Sequence, residues 1–287
     1  ILDPKAAGYV LDLSSFQLEH AQGVGLELAA ITNVAADHLD RHGSLLQYLE
    51  IKRRIYRDCR FAVYNADDPW TRPPVGTASI AINGEDGWNS NKDPVHLGGQ
   101  AMDKHAIRVH GKHNRFNAVM AAAVATQMGA DRDVVRGTLR TFSGLPPRGQ
   151  VVRERSGVRY VNDSKATNVS AAVAAIRGFG SNARNLVVLL GGDAKNGDFA
   201  ELAATVERFV KVAVCFGRDG GAIHESLDGC VEAVVCRGFS DAVAVAERKA
   251  MAGDIVLLAP ACASFDEFSD FSARGDAFMR LVRGLKP

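Results

Sequence analysis

Seven consecutive residues, Asn162-Asp163-Ser164-Lys165-Ala166-Thr167-Asn168, set a carboxylate, an ammonium, two hydroxyls and two amides in one short stretch. The run before them, 157–161, reads as a strand. The alanine-rich run after them, 169–179, reads as a helix stopped by Gly180. A strand-to-helix turn is where α/β proteins commonly bind anions, because a helix N-terminus offers unpaired N–H groups and a partial positive charge. The same residues would serve equally as a polar turn with Thr167 or Asn168 as N-cap.

Other chemistry-bearing residues are spread along the chain. Asp12 stands near the end of an apolar run, 9–13, that reads as a strand. A second apolar run, 28–34, leads into Ala35-Ala36-Asp37-His38-Leu39-Asp40-Arg41-His42-Gly43. Such a cluster could hold a divalent cation through oxygen and imidazole, or be a solvated loop. The pattern from 44 to 56 predicts a helix capped by Ser44, with Leu45, Leu49, Lys52, Ile55 and Tyr56 on one face. Lys52 therefore lies in the apolar stripe. A partly buried lysine with lowered basicity can act as a nucleophile, for example towards CO2; one at the edge of the stripe can instead snorkel out to water. Asn114 and Asn117, one turn apart, open an alanine-rich helix over 118–128. Their amides could read a nucleobase or phosphate edge, or cap the helix.

The elements that must position these groups fall into two sets. Strands at 9–13, 28–34 and 61–64 and helices at 44–56, 118–128 and 131–142 make up the first. Residues 70–108 show only weak patterning. Gly144-Leu145-Pro146-Pro147-Arg148-Gly149 breaks the pattern and reads as a linker. A hairpin about Ser156-Gly157 follows. Strands at 185–190, 211–216, 231–235 and 254–258 then alternate with helices at 169–179, 199–209, 220–227, 241–251 and 270–285. That alternation predicts a doubly wound parallel sheet, with the loops 191–195, 217–219 and 259–264 at one edge. The fold class is α/β, with domains 1–145 and 146–287, the second Rossmann-like.

Composition narrows the class of function. The 47% apolar and 23% charged fractions are those of an ordinary globular protein, and a net charge of +1 argues against general nucleic-acid or membrane-surface binding. No apolar run reaches the roughly 18 residues of a membrane helix. The five cysteines form no CxxC pair and read as free thiols of a reducing cytosol. The chain starts with Ile1 and enters a strand almost at once, which reads as a fragment of a longer polypeptide.

Taken in order, the motifs NVAADHLDRHG with its downstream lysine, GKHNRFN, GLPPR, NDSKATN, GGDAKNGDF and APACASFDEFSDFSARG resemble the Mur ligases over nearly the whole chain. The resemblance implies an incomplete central mononucleotide-binding ATPase domain followed by the Rossmann-like one. It implies a cytoplasmic, monomeric enzyme of peptidoglycan synthesis. ATP would phosphorylate the carboxylate of UDP-N-acetylmuramoyl-L-alanine, and the amine of D-glutamate would attack the acyl phosphate. Both substrates and ATP are anionic, so the site must supply cations and donors. By motif match, His38, Asp12 and a carbamylated Lys52 would bind Mg²⁺, although relatives carry Glu at the position of Asp12. Asn114, Asn117, Arg148 and Asp163 would contact ATP. Lys165, Thr167, Lys195, Ser264 and Phe271 would hold D-glutamate or steer the acyl phosphate, with His38, Lys52 and Lys165 as the catalytic set. In GLPPR, Pro147 replaces a usual His. The linker would let the last domain swing towards the ATP site.

No G-x-x-x-x-G-K-[ST] occurs, although the family's phosphate loop belongs before Asp12. The chain is therefore expected to correspond to the later part of such an enzyme and to be inactive alone. Alternatives are a sister Mur-type or folylpolyglutamate ligase, a non-catalytic ligand-binding fragment and, from fold alone, a nicotinamide-binding oxidoreductase. The last lacks its G-x-G-x-x-G.

Overall fold

Short apolar runs build a three-stranded parallel sheet in the first half of the chain. Its strands are β1 (Leu28–Ile31), β2 (Phe61–Asn65) and β3 (Ser79–Ile82), paired in the order β1-β2-β3. Ala62 and Val63 of the central strand are fully buried, one towards each face. The computed structural model describes residues 8–181, 183–194 and 199–285.

Around this sheet lie α1 (Ser15–His20), α2 (Leu39–His42), α3 (Leu45–Arg53), the hairpin of β4 (Val95–Leu97) and β5 (Gln100–Met102), α4 (Lys112–Gln127) and α5 (Arg132–Thr141). Val119, Met120, Ala122, Ala123 and Leu139 from α4 and α5 pack on Val63 and Ile82. Ser44 caps α3 by accepting from Gln47 N at 3.2 Å, as its sequence predicts.

Three expectations are corrected here. Residues 9–13 form no strand, and Val10 is fully exposed. An apolar run becomes a strand only beside a neighbouring strand, and these residues pair with none. Asp12 is thus exposed on an irregular segment rather than at a strand end. β1 stops at Ile31 because the chain beyond it bonds to side chains instead of a ladder: Asn65 Nδ2 donates to Thr32 O at 3.2 Å and Val34 N to Asp68 Oδ2 at 2.8 Å. α4 begins at Lys112, so Asn114 and Asn117 lie inside its opening turns.

The second half holds β6 (Gln150–Arg155), β7 (Val158–Asn162), α6 (Val169–Phe179), β8 (Leu186–Gly191), α7 (Ala200–Phe209), β9 (Val210–Phe216), α8 (Gly220–Ser226), β10 (Glu232–Val235), α9 (Phe239–Lys249), β11 (Ile255–Ala261) and α10 (Phe271–Gly284). Its six strands run in the order β10-β9-β8-β11-β7-β6, all parallel except the edge strand β6. Every residue of β8 and β11 is buried, as central parallel strands covered on both faces require. Residues of α6, α7 and α8 cover one face and residues of α9 and α10 the other, so the sheet is doubly wound. The hairpin turn is Ser156-Gly157, both at positive φ (49° and 76°).

The two halves touch where α4 lies against α6. A Cβ on Gly178 would come within 2.7 Å of His113 Nδ1, so only glycine permits this approach.

Candidate active site

The C-terminal ends of β7, β8 and β11 face the loop that follows β1. Between them is a cavity of about 870 Å³. Lys165, Thr167 and Asn168 of the Asn162-to-Asn168 turn form its floor. Asn162 is buried; its Nδ2 donates to Gly275 O at 3.1 Å and its Oδ1 accepts from Ser164 N at 3.2 Å. Asn168 accepts from Ala171 N at 2.9 Å and is the cap of α6.

Two glycines let the neighbouring loop come close. A Cβ on Gly191 would lie 1.9 Å from Phe216 O, and one on Gly192 2.1 Å from Ala263 O. Below the floor sits Arg274, fully buried. It donates to Ser164 Oγ (2.9 Å) and O (3.0 Å), Cys262 O (3.1 Å), Ala263 O (3.3 Å) and Gly191 O (3.4 Å). One guanidinium thus ties together the ends of three strands. Burial draws its pKa down to about 10, which leaves it charged at neutral pH.

Of the predicted residues, His38, Lys165, Thr167, Ser264 and Phe271 line the cavity. The Lys165 ammonium stands 4.1 Å from the centre of the Phe271 ring, a cation–π contact. Burial lowers the basicity of Lys165; Arg148 adds to this, and the Asp12 and Asp37 carboxylates oppose it. Burial likewise holds Lys52 below the ordinary lysine range, against the pull of the same two carboxylates. Lys52, Lys165, Asp12 and Asp37 therefore share one electrostatic neighbourhood, although Asp12 and Lys52 do not line the cavity. His38 has a left-handed backbone (φ 53°), with its N–H bonded to Asp37 Oδ1 at 2.9 Å.

A second group gathers at the linker. The Asp163 carboxylate accepts from the backbone of Gly149 and feels the Arg148 charge, yet burial dominates and raises its pKa to about 7. Asn114 lies beside the same glycine, 2.7 Å from where a Cβ on Gly149 would stand, and donates to His110 O at 2.8 Å. Asn117 is exposed one turn further along α4, and Arg148 is exposed. Lys195 lies outside the described residues.

The structure adds contacts that the sequence reading did not foresee. Asn168 Nδ2 donates to Asp37 Oδ2 at 3.1 Å, across the cavity. Arg218 Nη1 bonds to Asp193, which lines the cavity, at 2.6 Å. Arg274 had a signal: a charge three residues after Phe271 on a face that also carries Ala277 and Phe278. Among the described residues, no three His, Cys, Asp or Glu side chains stand together as a ready metal site. Asp12 and Asp37 supply carboxylate oxygens suited to a hard cation that keeps some of its water, and His38 stands beside Asp37 with an imidazole. Among the described residues, no helix is long and apolar enough to cross a membrane.

Comparison with known proteins agrees with this layout. The Mur ligase middle domain matches residues 2–125, and the Mur ligase glutamate ligase domain matches residues 147–262. The UDP-N-acetylmuramoylalanine--D-glutamate ligase of Chromohalobacter salexigens is 41% identical over 97% of this chain and 64% of its own length. That of Alcanivorax borkumensis is 40% identical over 99% of this chain and 66% of its own length. The chain thus spans just under two thirds of these relatives. Among solved structures, a pseudomurein peptide ligase type C from Methanothermus fervidus shares the fold (TM-score 0.70, 14% identity, 96% of this chain and 66% of that one). So does a UDP-N-acetylmuramate-alanine ligase from Thermotoga maritima (TM-score 0.66, 18% identity, 95% and 62%). With both of its halves matched in order, the chain belongs to the Mur ligase family.

Proposed function

We propose that this chain provides the ATP-binding and amino-acid-binding parts of a ligase that joins D-glutamate to UDP-N-acetylmuramoyl-L-alanine. The observation that carries this reading is the cavity between the two sheets. On one side it presents Lys165, Thr167 and Ser264; on the other, Asp37 and His38. A carboxylate must be activated by phosphate before an amine can displace it, and such a cavity sets cationic and hydroxyl donors opposite a cation-binding edge.

In this reading Asn114, Asn117, Arg148 and Asp163 hold the nucleotide beside the linker. Lys165 neutralises charge on the acyl phosphate. Thr167, Ser264, Phe271 and Lys195 bind D-glutamate. The division at 145/146 separates a nucleotide-binding domain from an amino-acid-binding domain, which closes about the linker. The setting is the cytoplasm, with the protein acting as a monomer. A sister amino-acid ligase would take a different amino acid in this cavity, so the amine used decides between them.

Mg²⁺ bound through His38, Asp12 and a carbamylated Lys52 would supply Lewis-acid stabilisation of the transferring phosphate. Lys52 suits carbamylation because its lowered basicity leaves more neutral amine. The amine nitrogen forms a bond to CO2 carbon and loses a proton to solvent.

The test is phosphate release by the full-length protein. It should require ATP, UDP-N-acetylmuramoyl-L-alanine and D-glutamate together. Lys52→Ala should abolish turnover, with partial recovery on adding acetate or formate. Turnover with another amino acid and not D-glutamate would overturn the substrate; full activity of Lys52→Ala without added acid would overturn the carbamate.

A further inference from the structure

The segments that carry Asp12, His38 and Lys52 converge on one buried side chain, His42. Its Nε2 shares a hydrogen bond of 3.0 Å with the hydroxyl of Ser15, and both residues are buried. Ser15 opens α1, three residues after Asp12. His42 ends α2, one helical turn after His38. Its ring lies 5.5 Å from that of Tyr48, and the Lys52 ammonium stands 5.9 Å from the same Tyr48 ring, one turn further along α3. Phe16 closes the group, 5.6 Å from His42 and 5.0 Å from His38 between ring centres.

The same junction is braced from outside. Arg41 Nη2 bonds to Glu19 Oε2 at 2.9 Å, and Arg54 Nη1 donates to Glu19 O at 2.7 Å. The remaining nitrogen of His42, Nδ1, is buried and has no hydrogen-bond partner among the described residues. A purely apolar ring would fill this space without leaving a polar atom unpaired, but could not bond to Ser15.

We infer that His42 is a positioning residue for the divalent-cation site, fixing the spacing between the segment of Asp12 and that of His38. This rests on reading Asp12, His38 and Lys52 as that site. Aspartate has the shorter reach of the two acidic side chains, so a small drift of its segment would take its carboxylate out of range. The hydrogen bond to Ser15 prevents that drift, and Tyr48 carries the same constraint to the turn bearing Lys52.

The experiment titrates Mn²⁺, in place of Mg²⁺, into full-length protein with ATP present and follows free Mn²⁺ by electron paramagnetic resonance. His42→Phe keeps the ring and loses the hydrogen bond; Ser15→Ala removes the other partner; His42→Gln keeps an amide able to bond to Ser15. Thermal melts establish which variants fold. Both His42→Phe and Ser15→Ala should weaken Mn²⁺ binding about tenfold, with His42→Gln closer to wild type and the KM for D-glutamate moved less than about twofold. Unchanged Mn²⁺ affinity in a folded His42→Phe or Ser15→Ala overturns the inference, as does a D-glutamate KM that rises as much as the Mn²⁺ constant. His38→Ala separates the two levels. If it leaves Mn²⁺ binding intact, the cation site itself is wrong; if it abolishes binding while the other variants do not weaken it, only the role of His42 fails.

Discussion

The side-chain amide of Asn168 is used at both ends: its oxygen accepts from Ala171 N at 2.9 Å, and its nitrogen donates to Asp37 Oδ2 at 3.1 Å. One residue therefore caps α6 and reaches across the cavity to the loop after β1. Asn168→Asp should keep the cap but set two carboxylates face to face. Asn168→Ala should lose both contacts and destabilise the protein by about 1–2 kcal/mol, mostly through the cap, because the contact to Asp37 is partly solvated. Urea unfolding should place Asn168→Asp nearer to wild type than Asn168→Ala. An Asn168→Ala variant as stable as wild type would mean that the cap contributes nothing.

The sequence makes some of this legible and hides the rest for physical reasons. Central parallel strands are buried on both faces, so β8 and β9 announce themselves as apolar runs within one residue of their ends, while β11 runs three residues past the expected end at 258 because its last residues, Ala259-Pro260-Ala261, read as a loop. Residues 9–13 carry the same signature without being a strand, because composition says nothing of whether a neighbour exists. The turn around Lys165 and the loop at His38 are legible as polar breaks after strands. That Lys165 and His38 line one cavity depends on how the two halves meet, which periodicity does not encode. Arg274 is hidden for another reason: an arginine in a helix is ordinarily solvated, and its burial follows from three strand ends that only the folded sheet brings together.

Arg274 supports a second prediction. Replacing it with Met keeps much of its volume but leaves Ser164 O, Cys262 O, Ala263 O and Gly191 O without this donor. The loss should be about 3–5 kcal/mol, in the range for breaking a buried polar network. Arg274→Lys should fall between, since one ammonium cannot reproduce a planar fork. Thermal unfolding of the three proteins measures the order. A Met variant as stable as wild type would show that the loops are held by other contacts.

Asp163 predicts a pH dependence with a definite sign. Burial raises its carboxyl from 3.8 to about 7 in the folded chain. Between those values the folded state holds a proton that the unfolded state has released. The stability from this group is full below about pH 4 and is lost as pH rises through about 7, with a slope of at most about 1.4 kcal/mol per pH unit. Asp163→Asn should flatten that part of the stability curve, read by urea titrations at pH 4.5 to 8. A wild-type curve and an Asn curve that run parallel would place the ordinary carboxylate pKa at Asp163.

The strand order β10-β9-β8-β11-β7-β6 has a consequence for how the protein is made. β11, the last of the described strands in chain order, occupies the slot between β7 and β8. Until Ile255–Ala261 arrives, the hairpin of β6 and β7 has no ladder to the β8-β9-β10 block, and each faces the other with an open apolar edge. The nascent chain therefore holds two unfinished half-sheets with the cavity floor still unassembled. Arrest of synthesis just before Ile255 should yield a chaperone-bound, protease-sensitive product, whereas synthesis through α10 should close the sheet and create the cavity in a single late event.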